Sequence, residues 1–543
     1  MIKIKDFITF IKSIFPRYLL LLVLIPVIIG YIIDFEASDK FGIVANLIWI
    51  PIFTIPFYIT KKKVFYNLVV VFYFIVGFIE ITHWFLLKGP LSITSLFMVS
   101  NTNYNEASEF LGAKLSPILL LLIPYCFLFY LALKRPIKME IPKYKFFIFG
   151  LILFILGLFF YLPLDRFLLK VTPQISRVSH AFIFDLQKYY KAISNNHLKE
   201  VKAQLSTSNQ EQLFVLIIGE AASRNHMSLY NYQKNTNPKL SARKDNIIFD
   251  NVVSGYSNTI SGVMSMITES NIENKLPFYK SIDLIDVFHA AGFKTYWISN
   301  QPPFGWAENL ISSIGNKSTY SKFVNVSNNS TYEGIVTSSF DEKLFEPFSD
   351  ALNENVSKKF IILHLMGNHL LYNKRYPMEY NIFNGKDDKD QMVAEYDNSM
   401  LYNDFVIDSL LNIVKQNNLK NKEQIASAIY VSDHGENVYD EKNILGHHFV
   451  KTLLKSNVEI PMLVWLSPSF IDRNNTKVST IISNKQKPFV ADDIFHSILD
   501  INSIKSPLLD QKRSIFNANF DDKRIRILVD GKDYDKKLKY PKH

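Results

Sequence analysis

Cysteine is almost absent from this chain, whose 543 residues contain only one, Cys126. A single thiol excludes an intramolecular disulfide, so a folded domain here must be stabilised by its buried apolar core. Runs that combine basic and aromatic residues are also lacking, which argues against a nucleic-acid-binding groove. We therefore attribute the formal net charge of +10 to membrane topology and to attraction to an anionic membrane surface.

Long apolar runs, in contrast, fill the first 164 residues. Each run approaches the roughly 20 residues that cross a bilayer as a helix. Buried helices of a soluble protein are the alternative, but five such runs in so short a segment favour a membrane domain. The predicted spans are Tyr18–Ile33, Phe41–Ile59, Val64–Leu87, Leu115–Leu133 and Phe146–Leu162.

The charged residues between these runs predict the orientation of the helices. Lysine and arginine precede the first run, follow the second and precede the fifth, whereas Asp34, Glu36 and Asp39 follow the first. Because basic loops stay in the cytoplasm, the N-terminus is predicted to be cytoplasmic. Five crossings then place the chain after Leu164 outside.

A connector is predicted between the membrane half and the soluble half. Apolar residues recur at helical spacing from Val178 to Ile193, and the polar segment Ser206–Gln212 follows. Two placements of this helix are open, namely on the membrane surface or packed on the soluble domain. The predicted domains are a transmembrane domain at 1–164, a bridging helix and linker at 165–210, and a globular domain at 211–543.

Continuous apolar runs alternate with helical patterns in the soluble half. Uninterrupted runs are typical of strands buried on both faces, and their alternation with helices indicates an α/β domain with a mostly parallel sheet covered by helices. The predicted strands are Leu213–Ile218, Ile247–Val253, Thr295–Ser299, Phe360–Leu365, Ile425–Val431 and Met462–Leu466. The predicted helices include Ile282–Ala291 and a longer one at Val393–Lys415.

Residues that can bind a metal follow two of these strands. Glu220 comes directly after the first strand, and Asp433-His434 come directly after the fifth. Ligands bind at the carboxyl ends of strands in an open α/β sheet, and a carboxylate beside an imidazole can hold a divalent metal ion. The alternative for Glu220 is a solvent-facing side chain without a ligand.

A nucleophile is predicted in the hydroxyl-rich segment from Ser254 to Ser265. Thr259 is expected near the start of a helix, where free backbone N–H groups favour a phosphate. A hydroxyl that binds a metal becomes more acidic and hence a better nucleophile. Alternatively, Thr259 or Ser257 is simply the N-cap of that helix.

Further histidines follow the ends of predicted strands. His364 alternates with apolar neighbours, as a core histidine does, whereas His369 lies beyond its strand and is the better candidate for a site. A later loop contains Gly446-His447-His448. Adjacent side chains point in different directions, so at most one of these two histidines is expected to face the site.

Taken together, these residues resemble the phosphoethanolamine transferases of the alkaline phosphatase/sulfatase superfamily. The string GEAASRNHMSLYNY, from Gly219 to Tyr232, and the later Thr236-Asn237-Pro238 are similar to the opening signature of that family. Asn231 stands where glycine is usual, and both residues tolerate a left-handed backbone. The resemblance covers nearly the whole chain and implies a membrane-anchored, sulfatase-like catalytic domain.

The resemblance implies a catalytic zinc ion and a threonine nucleophile, Thr259. The implied metal ligands are Glu220, Thr259, Asp433 and His434. One zinc site is expected, and it is open whether His369 and His447 bind the phosphoryl group, a second metal or the leaving group. His448 is the alternative to His447, and Gln301, at another strand end, is expected to line the substrate pocket.

The loop after the third apolar run resembles the lipid-donor loop of the family. Thr102 and Glu106 match the threonine and glutamate that help to hold the donor head group, and Glu106 could pair with an ethanolamine ammonium. The alternative is that Glu106 is a solvated residue at a helix start. The implied donor is phosphatidylethanolamine.

The implied activity is transfer of phosphoethanolamine to a periplasmic glycolipid or glycan, either lipopolysaccharide core or lipid A, through a zinc-activated threonine adduct. The implied location is the bacterial inner membrane, with the catalytic domain in the periplasm. Members that modify lipid A often carry disulfides, which this chain cannot form. The pattern therefore favours core sugars or other periplasmic glycans as acceptors.

Other functions stay open at this point. A glycerol-phosphate transferase resembling lipoteichoic acid synthase would share the spans and the fold but would use phosphatidylglycerol; the string at 223–230 argues against it. A non-catalytic membrane protein of the same fold would have no need for Glu220, Thr259, Asp433 and His434 together. A sulfatase activity needs a modified Cys or Ser in a Cys/Ser-x-Pro-x-Arg string, which does not accompany Thr259.

Overall fold

The structure is a computed structural model that describes most of the chain. The described residues are 16–33, 42–87, 117–134, 198–206, 210–301, 310–324, 340–447 and 453–539, with the single positions 38, 91, 96, 178, 179 and 183. They belong to two compact units, one built of apolar helices and one an α/β domain. The predicted span Phe146–Leu162, most of the predicted connector, and Thr102, Glu106 and His448 lie outside the described residues.

Apolar helices make up the first unit. They are α1 (Arg17–Ile33), α2 (Gly42–Thr60), α3 (Lys63–Leu87) and α4 (Leu122–Lys134), and a 3₁₀ turn, Pro117–Leu121, leads into α4. Within the described residues, α2, α3 and the segment Pro117–Lys134 are long and apolar enough to cross a membrane, whereas α1 is a shorter apolar helix. A membrane-type region is therefore present, but the five predicted spans are not confirmed.

The α/β unit carries the remaining strands and helices. Its strands are β1 (Gln204–Leu205), β2 (Gln212–Gly219), β3 (Asn246–Phe249), β4 (Val252–Val253), β5 (Lys294–Ser299), β6 (Tyr320–Phe323), β7 (Lys358–His364), β8 (Ile425–Ser432), β9 (Met462–Leu466), β10 (Phe489–Val490) and β11 (Ile504–Lys505). Its helices are α5 (Pro238–Ala242), α6 (Thr259–Ile267), α7 (Leu284–Ala290), α8 (Leu310–Gly315), α9 (Phe345–Asn353), α10 (Asp388–Lys420), α11 (Lys455–Val458), α12 (Pro468–Arg473), α13 (Asn475–Asn484) and α14 (Ile494–Ile501).

The main sheet has the strand order β3-β9-β8-β2-β7-β5-β6. The pairs from β8 to β6 are parallel, but β9 runs antiparallel to both of its neighbours, β8 and β3. The sheet is therefore mixed, and the mostly parallel arrangement predicted from the sequence is not confirmed. Two shorter sheets, β1 with β11 and β4 with β10, lie outside it.

Two details of the strand prediction differ from the structure. The predicted strand Ile247–Val253 is two strands, because β3 pairs with β9 in the main sheet whereas β4 pairs with β10. The edge strand β6 escaped prediction, since its residues are half-buried or exposed and therefore form no apolar run. The predicted long helix is confirmed and is longer than expected, as α10 has 33 residues.

The central strand β2 explains why the core has two halves. All of its residues are buried, with β7 on one side and β8 on the other. Successive side chains of a strand point to opposite faces. The first core therefore receives Phe214, Leu216 and Ile218, and the second receives Leu213, Val215 and Ile217. Helices cover both faces, as the continuous apolar run indicates.

Candidate active site

The four candidate metal ligands meet at the carboxyl ends of β2 and β8. These strands are parallel neighbours in which Gly219 pairs with Ser432. The residues that follow, Glu220 and Asp433, therefore leave the sheet side by side, and the N–H of Asp433 donates to the carbonyl of Gly219 at 3.1 Å. Thr259 joins them as the first residue of α6.

Nε2 of His434 lies close to all three of the other side chains. The hydroxyl of Thr259 donates to Oε1 of Glu220 at 3.0 Å. Nε2 of His434 lies 3.4 Å from this hydroxyl, 3.2 Å from Oε1 of Glu220 and 3.5 Å from Oδ2 of Asp433. Glu220, Asp433 and His434 are fully buried, while Thr259 is half-buried. We call this cluster of Glu220, Asp433 and His434 around the hydroxyl of Thr259 the cage.

Helix α6 is held against this cage by backbone contacts. Its N-cap is Asn258, whose side chain accepts a hydrogen bond from the N–H of Ser261 at 3.0 Å. The alternative in which Thr259 or Ser257 is the N-cap is therefore wrong. Gly262 allows the close approach, since a Cβ there would lie 2.6 Å from the carbonyl oxygen of Asp433. The helix start thus faces the ends of β2 and β8.

The turn after Glu220 is conformationally strained and firmly held. Ala221 has a φ of 53°, a left-handed value that costs a non-glycine residue of order 1 kcal/mol. Its N–H donates to Oδ1 of Asp433 at 3.1 Å, and its carbonyl accepts from the hydroxyl of Tyr396 at 2.7 Å. These bonds keep the carboxylate of Glu220 next to the histidine of the cage.

The imidazole of His434 is oriented as a metal ligand requires. Its Nδ1 lies 2.8 Å from the carbonyl oxygen of Gly435. A carbonyl can only accept, so Nδ1 donates, and the neutral ring then has its lone pair on Nε2, the atom inside the cage. This arrangement of a backbone acceptor behind a histidine is the usual support of metal-binding imidazoles.

Two buried carboxylate oxygens in the cage have no hydrogen-bond partner among the described residues. They are Oε2 of Glu220 and Oδ2 of Asp433. A buried ionised oxygen without a partner is costly, and a divalent cation between these atoms would remove the cost. Together with the hydroxyl and the imidazole, the two carboxylates form an oxygen and nitrogen donor set that suits zinc. Glu220, Asp433 and His434 also form one of the groups compact enough to hold an ion.

The electrostatics of the cage indicate the same need for positive charge. Burial, and after it the charge of Glu220, raises the pKa of Asp433 well above its usual range. Against its burial, the hydrogen bond and charge of His434 lower the pKa of Glu220 to about 2. Burial lowers the pKa of His434, but the two carboxylates more than compensate and raise it to about 10. A proton and a divalent cation would compete for this site.

His447 lies beside the cage, as the sequence predicts for one of the two adjacent histidines. Its ring centroid is 4.5 Å from that of His434. Its Nδ1 lies 2.8 Å from Oε2 of Glu436, and the three residues form a second group able to hold an ion. The other predicted histidine, His448, cannot be compared because it lies outside the described residues.

The ends of β7 and β5 bring two more candidates, His369 and Gln301, to this edge. His369 is half-buried and lies near enough to contribute, after His434, to the lowered pKa of Glu220. Gln301 donates from its side-chain amide to the carbonyl of Leu365 at 2.9 Å. His364 is buried, and neither of its ring nitrogens is hydrogen-bonded to another described residue. Burial lowers its pKa to about 4. It is the core histidine that the alternation of its neighbours indicates.

Glu436 and His226 were not assigned a role from the sequence. Glu436 follows the Asp-His pair within the same string, so its position was visible, but its partners Tyr372 and His447 lie 64 and 11 residues away. His226 belongs to the signature string and contacts Asp397 and Asp440. Contacts between residues so far apart leave no local pattern in a sequence.

Comparison with known proteins matches the chain to characterised relatives. Phosphoethanolamine transferase EptC of Escherichia coli K12 is 26% identical over 535 residues, which covers 90% of this chain and 89% of the relative. The crystal structure of the C-terminal periplasmic domain of E. coli EptC in complex with Zn matches with a TM-score of 0.56 at 26% identity, over 63% of this chain and 97% of that domain.

A structure that includes a membrane part is also similar. The integral membrane protein lipooligosaccharide phosphoethanolamine transferase A from Neisseria meningitidis matches with a TM-score of 0.65 over 94% of this chain and 97% of that protein. Its identity of 18% makes this a likeness of fold alone. The resemblance to phosphoethanolamine transferases that the motifs predict is confirmed by these relatives. The sulfatase family model matches residues 212–504, more than half of the sequence, and the chain therefore belongs to the sulfatase family.

Proposed function

We propose that this protein transfers phosphoethanolamine from phosphatidylethanolamine to a periplasmic glycolipid or glycan, with Thr259 as the nucleophile. The observation that carries the proposal is the position of the Thr259 hydroxyl, 3.0 Å from Oε1 of Glu220 and 3.4 Å from Nε2 of His434. It lies at the carboxyl edge of the sheet, where α/β domains bind ligands. The named activity of the relatives supports the same reaction.

Glu220, Thr259, Asp433 and His434 are the residues that would hold zinc. The unpartnered oxygens of Glu220 and Asp433 and the zinc complex of the EptC domain support this choice. When bound, zinc would supply positive charge that acidifies the threonine hydroxyl and stabilises negative charge on the phosphoryl oxygens. We propose one zinc site. The group of His434, Glu436 and His447 could hold a second ion.

The reaction has two displacements at phosphorus. The oxygen of Thr259 attacks the phosphorus of the lipid and the bond from phosphorus to the diacylglycerol oxygen breaks. The proton that Thr259 loses ends on that oxygen, and diacylglycerol stays in the membrane. A hydroxyl of the acceptor then attacks the phosphoethanolamine-threonine adduct, the bond from phosphorus to the threonine oxygen breaks, and the acceptor's proton restores the hydroxyl of Thr259. Because Thr259 begins α6, backbone N–H groups of the first turn can face the phosphoryl oxygens.

The remaining assignments complete this proposal. His369 and His447, with His448 as the alternative to His447, would contact the phosphoryl or leaving group, and Gln301 would line the pocket. Thr102 and Glu106 would hold the donor head group. The domain bounds 1–164, 165–210 and 211–543, a cytoplasmic N-terminus and an inner-membrane location with the domain in the periplasm belong to the same proposal. Lipopolysaccharide core sugars are the favoured acceptors, because the only cysteine is Cys126.

A labelled-lipid assay tests the proposal. The purified full chain, loaded with zinc, is incubated separately with head-group-labelled phosphatidylethanolamine and phosphatidylglycerol, and protein-bound label and released diacylglycerol are measured. We expect label on the protein from the first lipid only, and none in Thr259→Ala. Label from phosphatidylglycerol would favour a glycerol-phosphate transferase, and no turnover of either lipid would favour a non-catalytic protein. Transfer by Thr259→Ala would refute the nucleophile assignment.

A further inference from the structure

Glu436 is a buried carboxylate next to the cage that the proposed reaction does not use. It follows Gly435 on the loop after β8 and is only 1% exposed. Both of its oxygens are occupied. Oε1 accepts from the hydroxyl of Tyr372 at 2.7 Å, and Oε2 accepts from Nδ1 of His447 at 2.8 Å. A buried carboxylate with two well-placed donors has a fixed orientation.

The contact with Glu436 determines how His447 presents its ring. A carboxylate only accepts hydrogen bonds, so the proton of neutral His447 is on Nδ1 and the lone pair is on Nε2. His434 is held in the same way, since its Nδ1 donates to the carbonyl of Gly435. Adjacent residues of one loop therefore orient both imidazoles, whose centroids are 4.5 Å apart.

Tyr372 connects Glu436 to the opposite side of the cage. Its ring packs edge-on against Tyr396, with centroids 4.9 Å apart. Tyr396, in turn, donates to the carbonyl of Ala221 at 2.7 Å and accepts from the N–H of Ser223 at 2.9 Å. The support of His447 and the turn that carries Glu220 are thus two hydrogen-bonded groups that meet at the ring contact between Tyr372 and Tyr396, so a shift of Glu436 would displace His447 relative to the metal ligands.

We propose that Glu436 is a positioning residue that holds His447 for the transfer reaction, and that Tyr372 positions Glu436. Outer-shell carboxylates that orient an imidazole commonly affect activity without touching the substrate. The inference rests on the proposed function, because its kinetic effect is read from phosphoethanolamine transfer. Tyr372 and Glu436 should affect the rate of transfer only through His447.

Glu436→Gln and Tyr372→Phe test this inference in the full chain with phosphatidylethanolamine vesicles. Glutamine keeps the shape of the side chain but removes its negative charge, so the charge-assisted hydrogen bond from His447 becomes a neutral and weaker one. We expect Glu436→Gln to lower kcat by roughly 10- to 100-fold with KM for the lipid changed by less than about twofold. Tyr372→Phe removes one hydrogen bond and should lower kcat by about 2- to 10-fold. Zinc content per folded chain should stay at the wild-type value in both.

A double-mutant cycle with His447→Ala separates positioning from a general structural role. If Glu436 acts through His447, adding Glu436→Gln to His447→Ala should lower kcat by less than about twofold further. Additive losses would overturn the inference, as would wild-type kinetics in Glu436→Gln. The control is Tyr376→Phe, which removes a buried hydroxyl bonded to Asn381 on the same loop and should leave kcat unchanged.

The outcomes distinguish this inference from the proposed function. If the wild-type protein forms no adduct with phosphatidylethanolamine, the proposed function fails, and the positioning role in transfer fails with it. If the wild type transfers normally and the Tyr372 and Glu436 variants do too, only the positioning role fails. Should Glu436→Gln fold poorly, Tyr372→Phe alone in the two His447 backgrounds keeps the test decisive.

Discussion

Two buried histidines of the α/β unit lie between pairs of carboxylates, yet their surroundings differ. Nδ1 of His226 donates to Asp397 at 2.7 Å and its Nε2 donates to Asp440 at 3.0 Å. The other oxygen of Asp397 accepts from Lys234 at 2.6 Å and from Tyr232 at 3.1 Å. Around His434, in contrast, Oε2 of Glu220 and Oδ2 of Asp433 have no hydrogen-bond partner in the part of the chain that the structure describes.

The difference shows that residue types alone do not identify a functional site. The His226 cluster is a fully hydrogen-bonded ion pair network that ties the signature string to α10 and to the loop of Asp440. The His434 cluster has unpaired oxygens beside a hydroxyl at a sheet edge, which is the arrangement of a ligand site. The first cluster stabilises the fold, and we propose the second as the cation site.

The largest expected contrast comes from removing one carboxylate charge in the His434 cluster. Asp433→Asn should abolish zinc binding and lower transfer by more than roughly 100-fold, the upper end for outer-shell partners. The metal-free variant should be at least as stable as the wild type, because it loses a buried carboxylate beside Glu220. Zinc per folded chain by elemental analysis and thermal unfolding check these two results. Retained zinc would show that Asp433 is not a ligand.

The matched change in the His226 cluster should have the opposite result. Asp397→Asn leaves a charged histidine and Lys234 without their shared carboxylate, which should lower the free energy of unfolding by about 3–5 kcal/mol. Zinc content of the folded fraction should not change. Denaturant titration followed by tryptophan fluorescence measures the stability. A variant as stable as the wild type would contradict the structural role of this cluster.

The stability that the His226 cluster provides should depend on pH. Burial lowers the pKa of His226, but the hydrogen bonds of Asp397 and Asp440 outweigh it and raise the pKa to about 9. A raised folded-state pKa gives stability that is complete below the unfolded value and is lost as the pH rises through about 9. We expect the free energy of unfolding of the wild type to exceed that of His226→Gln by about 3 kcal/mol near pH 6. At pH 10 the two free energies should be nearly equal. A difference independent of pH would contradict the charged state of His226.

A smaller effect is expected at Gly262, which lets α6 approach the cage. An added Cβ would lie 2.6 Å from the backbone oxygen of Asp433, and overpacking of this kind costs about 1–3 kcal/mol. This outweighs the gain of up to about 1 kcal/mol from alanine in a helix. Gly262→Ala should therefore unfold at lower denaturant concentration than the control Ser261→Ala. A stabilised Gly262→Ala would mean that the contact relaxes without cost.

The sequence made the centre of the fold and the four cage residues predictable. Central strands such as β2 are buried on both faces, so their apolar runs are visible, and residues that directly follow parallel neighbours must meet at one edge. The position of His364 in the core was also predictable, because it alternates with apolar neighbours along its strand. The mixed character of the sheet was not predictable, because the apolar run at β9 contains no information about its direction.

Other features depend on contacts between distant residues. The run Ile247–Val253 divides because its two halves pair with different strands, β9 and β10. The hydrogen bond between Tyr372 and Glu436 joins two loops. The contacts of His226 with Asp397 and Asp440 join segments more than 170 positions apart. Such pairings are determined by how the elements pack, and no local spacing records them.

Anomalous diffraction at the zinc edge, from crystals of the zinc-loaded protein, tests the comparison most directly. We expect a peak among Glu220, Thr259, Asp433 and His434, and no peak at the cluster of His226, Asp397 and Asp440. A peak at His226, or full occupancy elsewhere with none at His434, would contradict it.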